Sequence, residues 1–253
     1  MNSHSFYPGI FICGLLVLGT VAGQANESRP IATRFDAVNV AGPFSVTINL
    51  APEKTVKLQG NADVIKNIET VVEEGSLQIR FLDPSVLFTG ILQIQVTTPE
   101  LRNLAAAGPA QVNVQSPIEG RSISVIVGGS AGLTAAAFTG ESLSVVVGQS
   151  ASFIAKIAMK NLNAVVSGSA AAIITGTVDN ANVVVSGTGF FHGRNLEAQS
   201  VSVAASGTGT AEVSGNKEVK ATVSEFGKVR YGGSGKPRVA NETLDDGVFE
   251  KME

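Results

Sequence analysis

The chain has 253 residues, 15% of them charged, with a formal net charge of −3, one Cys, two His and no Trp. A typical soluble domain carries about 25% charged residues, so few side chains are available for ionic chemistry. A single Cys excludes an internal disulfide and a Cys pair for redox chemistry. The mild acidity argues against nucleic acid as a partner, because such binding needs a basic surface.

The first 25 residues contain no Asp, Glu, Lys or Arg. They include an apolar run of 13 residues, Ile10–Ala22, which is the length of a signal-peptide hydrophobic region. It is shorter than the roughly 20 residues of a membrane-spanning helix. Two small residues, Gly23 and Ala25, follow the run, so we expect a signal peptide over residues 1–25, cleaved after Ala25. A buried N-terminal helix is the alternative interpretation.

Cleavage of the signal peptide would remove the single Cys and one of the two His residues. His4 and Cys13 lie in the predicted signal peptide, and Cys13 follows Phe11-Ile12 rather than the small residue that precedes a lipidated Cys. No later segment is apolar enough to span a membrane. We therefore expect an exported protein of the periplasm or the cell surface, without disulfides, cofactors or metal.

Residues 31–103 are predicted to form a small region of antiparallel strands. Apolar and polar residues alternate along Phe44–Leu50 and Leu92–Val96, which places the apolar side chains on one face of each strand. Gly75 lies between two further alternating segments and predicts a hairpin turn. Residues 61–69 fit a short helix.

From residue 104 to residue 239 the sequence repeats. Each unit contains a short run of Val, Ile or Leu, then a triplet of small residues, then a second apolar stretch. The third residues of successive triplets lie 18 to 21 positions apart, so the repeat is about 19–20 residues long. These residues are Ala110, Ala131, Ala151, Ala170, Gly189, Gly209 and Gly227.

A repeat of this length without helical periodicity indicates a solenoid, whose units bury their apolar faces only by stacking. The framework of a leucine-rich repeat and the six-residue sub-period of a left-handed β-helix are both absent. The predicted fold class is therefore all-β, a right-handed parallel β-helix capped by the N-terminal β region. The triplets are predicted to form corners, where Gly takes a positive φ and hydroxyls bond local backbone instead of ordering water on a flat face.

The ends of a β-helix expose strand edges that need covering. The N-terminal strands are predicted to cover one end. Toward the other end, six Lys and Arg residues lie within residues 217–238 and are interpreted as a cap. Binding of an acidic polymer or lipid headgroups by this segment is the alternative. The acidic residues 240–253 are predicted to form a flexible tail.

Three stretches, together with the serial triplets, resemble a known family: Phe35–Ile48, Leu92–Leu104 and Gly227–Pro237. The family is the head GIN domain family, labelled putative auto-transporter adhesin, and the resemblance covers residues 34–239. It implies an exported bacterial cell-envelope protein with a right-handed β-helix behind a small β region, and no established biochemical activity. Family triplets are often followed by Asp, and calcium is not expected here because other residues take that position, among them Phe190 and Thr210.

Exported β-helices include polysaccharide lyases and glycosidases, so a carbohydrate-active enzyme is the alternative to a binding protein. Glycoside hydrolysis needs two carboxylates close together, and lyases need acids with Arg or Lys on one face. Only nine charged residues lie within residues 104–215, and they occupy different positions within the repeat, so they do not form a cluster. We therefore predict that the chain is not an enzyme. An Arg–acid pair within about 8 Å in a groove would favour the enzyme.

His192 is the single His of the predicted mature chain, with Arg194 and Glu197 nearby as potential ion-pair partners. Phe190 and Phe191 should face opposite sides of a strand, one in the core and one at the surface, where a ring can stack on a sugar. The predicted ligand contacts are Phe190, Phe191, His192, Arg194, Arg230 and Tyr231.

The predicted function is non-enzymatic binding or scaffolding in the cell envelope, similar to that of an adhesin. A long strand face would contact a glycan or a surface protein. A purely structural envelope component is the third hypothesis.

Overall fold

The computed structural model describes residues 23–83 and 92–252. Nearly all of this part is β-structure, arranged as a solenoid of about seven turns, which confirms the predicted all-β solenoid. The predicted signal-peptide run Ile10–Ala22 lies outside the described residues, whereas the predicted cleavage position, Ala25, lies in the first strand. No helix in the described part has the length and hydrophobicity that crossing a bilayer requires.

Eighteen strands and one short helix account for the regular structure of the described residues. The helix is α1 (Ala62–Ile65), within the stretch expected to be helical, and it begins after Asn61, whose side chain accepts a hydrogen bond from the backbone N–H of Asp63. The strands are β1 (Gln24–Pro30), β2 (Ala37–Ala41), β3 (Phe44–Leu50), β4 (Thr55–Asn61), β5 (Ile68–Glu73), β6 (Ser76–Phe81), β7 (Leu92–Thr98), β8 (Asn103–Ala107), β9 (Gln111–Val114), β10 (Ile118–Val127), β11 (Gly132–Val147), β12 (Ser152–Val166), β13 (Ala171–Val185), β14 (Phe190–Ala205), β15 (Thr210–Val223), β16 (Lys228–Gly232), β17 (Arg238–Thr243) and β18 (Val248–Lys251).

The five strands β11 to β15 form the centre of the solenoid, each spanning nearly a whole coil from one triplet to the next. Neighbouring coils pair in parallel, so that equivalent residues such as Val125, Val145 and Ala164 lie side by side. Alternate residues face inward, and all three of these are buried. Each Val or Leu removed from water in this way stabilises the fold by about 1.5–3 kcal/mol. The inward columns join into one continuous core.

Each triplet forms a corner, as predicted. The first residue of every corner has a positive φ between 55° and 71°, at Gly108, Gly129, Gln149, Gly168, Gly187, Gly207, Glu225 and Asp245. From the corner at Gly129 to the corner at Glu225, the second residue donates its backbone N–H to the first residue of the preceding corner; Thr188, for example, bonds the Gly168 carbonyl at 2.8 Å. Its hydroxyl also donates to that carbonyl, at 3.2 Å. The hydroxyls of Ser130 and Thr208 bond the backbone in the same way.

The N-terminal region differs from the predicted antiparallel arrangement. Strand β2 pairs in parallel with β6 and β8, and β3 pairs in parallel with β7 and β9. Residues 37–50 thus form a coil of the solenoid itself, stacked between strands β6 and β7 on one side and strands β8 and β9 on the other. Antiparallel pairing is confined to β1 on β4, β4 on β7 and the β5–β6 hairpin around Gly75. Side chains alternate in both kinds of strand, so alternation could not distinguish them.

The acidic segment after residue 239 forms strands, which corrects the predicted flexible tail. Strand β17 pairs in parallel with β15, and β18 pairs in parallel with β16. Phe249 stacks on Tyr231, with ring centroids 4.8 Å apart and an interplanar angle of 7°. An eighth corner at residues 245–247 connects the two strands. The segment therefore continues the solenoid, because its apolar residues recur at the spacing of the repeat.

Candidate binding faces

The six residues predicted to contact a ligand do not form one site. Phe191 is fully buried in the core, whereas Phe190 and His192 face outward from β14, as the opposite sides of a strand require. Phe190 lies beside His192, with ring centroids 5.7 Å apart. Of the two adjacent Phe residues, only Phe190 is therefore placed to meet a ligand.

Arg230 lies on the same outer face as His192, two coils away, and Glu212 lies between them. The carboxylate of Glu212 is 2.7 Å from His192 Nδ1 and 3.1 Å from Arg230 Nη1. Glu212 is only 6% exposed, although it faces outward, so its carboxylate contacts these two partners in place of water. His192 thus pairs with a residue one coil away, and not with Arg194 or Glu197 as the sequence suggested.

The contacts continue to the last coil and make a column of ionisable side chains, which we call the charge column: His192, Glu212, Arg230 and Glu250. Arg230 Nε bonds Glu250 at 2.9 Å, and Lys228 contacts the same carboxylate oxygen at 3.0 Å. The hydrogen bonds from Lys228 and then Arg230 lower the pKa of Glu250 below its ordinary value of 4.5. The column joins four successive coils to one another.

Tyr231 and Arg194 lie apart from the charge column. Tyr231 is half-buried against Phe249 at the C-terminal end of the solenoid. Arg194 lines a separate cavity of about 440 Å³ together with Ser214 and Lys251. These two residues are therefore not part of a common surface with Phe190.

The charge column bears on the enzyme hypothesis. Arg230 Nη1 and Glu212 Oε1 are 3.1 Å apart. This is well within the distance of about 8 Å at which an Arg–acid pair would favour an enzyme. However, Oε1 of Glu212 accepts a hydrogen bond from Arg230, Oε2 lies against His192 without a hydrogen bond, and the column lies on the outer face of a sheet. Within residues 23–83 and 92–252, no three His, Cys, Asp or Glu side chains are placed to hold a metal ion. The arrangement suits a structural ladder of ion pairs.

A second surface contains no charged residue and was not identified from the sequence. It is the outer face of the strand segments that precede the corners, over five successive coils. We call it the uncharged face, and it is formed by Ser122, Ser124, Ile126, Ser142, Ser144, Val146, Asn161, Asn163, Val165, Asn180, Asn182, Val184, Ser200, Ser202 and Ala204.

The uncharged face is a regular array of three columns. Two columns carry Ser or Asn side chains, and the third carries exposed apolar side chains, among them Ile126, which is 52% exposed. Neighbouring coils in a sheet lie about 4.8 Å apart, so each column repeats the same group at that interval. Asn180 Nδ2 donates to Asn161 Oδ1 at 3.2 Å, which orients the amides along the column. A groove of about 450 Å³ runs over the Ser and Asn columns and ends at Glu218 and Lys220.

The model of a known protein family matches residues 34–235; its description is "Putative auto-transporter adhesin, head GIN domain". No curated protein matches the chain. Several solved structures share the fold. A putative adhesin from Parabacteroides distasonis ATCC 8503 has a TM-score of 0.81 at 19% identity, covering 92% of this chain and 98% of that one.

The second, a putative lipid binding protein from the same organism, has a TM-score of 0.79 at 20% identity, covering 90% of this chain and 97% of that one. The third, a putative adhesin from Parabacteroides merdae ATCC 43184, has a TM-score of 0.79 at 15% identity, covering 91% of this chain and 96% of that one. At such identities these likenesses establish the fold alone.

Proposed function

The chain belongs to the head GIN domain family of putative auto-transporter adhesins, and from that premise we propose that it is an exported, non-enzymatic binding protein of the cell envelope. Its uncharged face holds an extended, uncharged glycan along the axis of the solenoid. The observation that carries the proposal is the five-coil array of Ser, Asn and Val side chains without a charge.

The chemistry of the face matches that of a neutral sugar chain. Amide and hydroxyl groups both donate and accept hydrogen bonds, as sugar hydroxyls do. The exposed column of Ile126, Val146, Val165 and Val184 offers methyl groups to the apolar faces of sugar rings. Because each coil repeats these groups, a polymer of repeating units would meet equivalent contacts along its length. A charged polymer would find an opposite charge only at the end of the groove, at Glu218 and Lys220.

Two features support the non-enzymatic part of the proposal. The uncharged face contains no carboxylate, Lys, Arg or His that could transfer a proton. The carboxylate of Glu212 is engaged with Arg230 and His192 on the other sheet. Neutral polysaccharides incubated with the protein should therefore remain intact, and release of new reducing ends would favour the carbohydrate-active enzyme.

Export is supported by the uncharged N-terminal 25 residues with their apolar run. Cleavage after Ala25 would leave Asn26 as the first residue and would remove two residues from β1, which would still pair with β4 from Asn26 to Pro30. Terminal sequencing of the protein from periplasmic and surface fractions tests this. Recovery of the chain with its original N-terminus from the cytoplasm alone would contradict export.

A glycan array together with a pull-down from envelope extract tests the binding function. We expect enrichment of neutral glycans with linear repeats. Enrichment of a surface protein without any glycan would show that the ligand is a protein and not a glycan. Absence of any enriched glycan or protein would favour a purely structural envelope component. Vesicles of neutral lipid serve as a further arm, since one protein of the same fold is described as lipid binding.

A further inference from the structure

The two ends of the solenoid are built differently. At the N-terminal end, β1 pairs on β4 and β5 pairs on β6, both antiparallel, and these strands cover the edges of the first coil. At the C-terminal end, β17 pairs only with β15 and β18 pairs only with β16 within the described residues. The last coil therefore presents open strand edges.

The open edge of β17 offers a regular set of backbone groups. Leu244 donates its N–H to Val223 of β15 at 2.8 Å, so residues of the same parity, such as Ala240, bond the preceding coil. In a parallel ladder, the residues between these turn their N–H and C=O groups toward the opposite side of the strand, away from the preceding coil. The backbone groups of Val239, Asn241 and Thr243 therefore face the open edge.

The end of the core is also open at β17. Val239 continues an inward column behind Val219, yet Val239 is 38% exposed whereas Val219 is fully buried. All six residues of the strand are exposed. Proteins commonly protect such edges with Pro, charged side chains or a bulge. Lys236 and Pro237 precede β17, but the three residues whose backbone groups face the edge, Val239, Asn241 and Thr243, include no Pro and no charge. The edge is thus suited to receive another strand.

We infer that the added strand is β17 of a second copy of this chain, paired antiparallel about a two-fold axis through Ala240. This register places Arg238 opposite Glu242 of the second copy, and the symmetry repeats the pair. It places Val239 opposite Asn241, where both residues turn their backbone groups toward the edge, so four hydrogen bonds form. Val239 and its equivalent then cover the open end of the core.

The charge pattern selects this partner and this register. The outward residues of β17 are Arg238, Ala240 and Glu242, a positive, a neutral and a negative position. A second copy of β17 that runs antiparallel presents the reverse order: negative, neutral, positive. Each charge on one strand therefore lies opposite a charge of the other sign on its copy. A register shifted by two residues would place Ala240 opposite Glu242 and lose both ion pairs.

Size-exclusion chromatography with light scattering, over micromolar concentrations, tests the inference. The full chain is expected to approach twice the chain mass. Arg238→Glu and Glu242→Arg each bring like charges together twice, and each should weaken the dimer about tenfold. The double variant restores both pairs and should restore the dimer. A wild-type chain that stays monomeric, or a double variant as weak as the single ones, would overturn the inference.

Cross-linking gives a second readout that does not depend on the charges. In the proposed register the two Ala240 residues face each other in a non-hydrogen-bonded pair, about 4.5 Å apart between Cα atoms, which a disulfide can span. Ala240→Cys in a Cys13→Ser background should form a covalent dimer on mild oxidation. Ser150→Cys, on an exposed corner far from β17, is the matched control and should remain monomeric. Equal cross-linking of the two variants would contradict the inference.

Discussion

Nδ1 of His192 lies 2.7 Å from the carboxylate of Glu212, although twenty residues separate them in the sequence. Arg230, a further eighteen residues along, lies 3.1 Å from the same carboxylate. In this solenoid, residues one repeat apart are nearer in space than residues two or three positions apart. The interactions that define its surfaces are therefore interactions between coils.

Glu212→Gln should lower the free energy of unfolding by about 1–3 kcal/mol, because it removes the buried charge that Arg230 and His192 face. Urea unfolding followed by circular dichroism measures the change. Glu197→Gln, at an exposed position of the preceding coil, is the control and should change stability by less than about 0.5 kcal/mol. Equal effects of the two variants would show that the column does not stabilise the coils.

Phe191→Ala should cost about 3–5 kcal/mol of stability, because the ring is fully buried and its removal leaves a cavity. Phe190→Ala, one position earlier and partly exposed, should cost less than about 1 kcal/mol. The same urea unfolding measurement compares them. A larger loss for Phe190→Ala would mean that the two rings have exchanged sides.

Gly168→Ala should destabilise the protein by about 2 kcal/mol or more. Gly168 has a φ of +71°, and an added Cβ would lie 2.8 Å from the carbonyl oxygen of Gln149 in the preceding corner. Gly148→Ala is the matched control, because Gly148 lies beside a corner with its nearest neighbour, Ser167 Oγ, at 3.4 Å. Thermal unfolding of the two variants should separate them, and equal melting temperatures would contradict the importance of the corner geometry.

Asn163→Glu and Asn182→Glu should each reduce the affinity for a neutral glycan at least about tenfold, since each places a charge at the centre of the uncharged face. Thr134→Glu adds the same charge at an exposed position on the other sheet and should leave binding unchanged. Isothermal titration with a glycan selected from the array measures the effect. If all three variants bind equally well, the glycan site lies elsewhere.

Glu250 should titrate below its ordinary pKa of 4.5, because Lys228 and Arg230 stabilise its charged form. A carboxyl whose pKa is lower in the folded state stabilises that state above pH 4.5, and this contribution disappears as the pH falls through the lowered value. Lys228→Met should therefore raise the pKa toward 4.5. NMR titration of the Glu250 carboxyl carbon measures it, and an identical midpoint in the variant would contradict the assigned cause.

The repeat itself was predictable because each corner needs a residue that tolerates positive φ, and Gly at 129, 168, 187 and 207 marks it. Two corners whose first residue is not Gly, at Gln149 and Glu225, were located from the spacing of the repeat. The corner at Asp245 follows the same spacing, but its acidic surroundings led residues 240–253 to be interpreted as a tail.

The surfaces were harder to predict than the core. Exposed Ser and Asn residues are common in any protein. Asn163 and Asn182 can be assigned to one surface only once the parallel register shows that they lie side by side. The same register brings Glu212 to His192. For Phe44–Leu50, alternation correctly located the buried face, but the identity of the neighbouring strand depends on the order in which the coils stack.

That order constrains how the chain can assemble. The coil of residues 37–50 is enclosed between strands contributed by residues 76–98 on one side and residues 103–114 on the other. A chain that emerges N-terminus first from a ribosome or a translocation pore cannot complete this end until residue 114 is free. From that point each further coil can be added as its roughly twenty residues appear, so we expect assembly to begin with one long delay and then to proceed in regular steps.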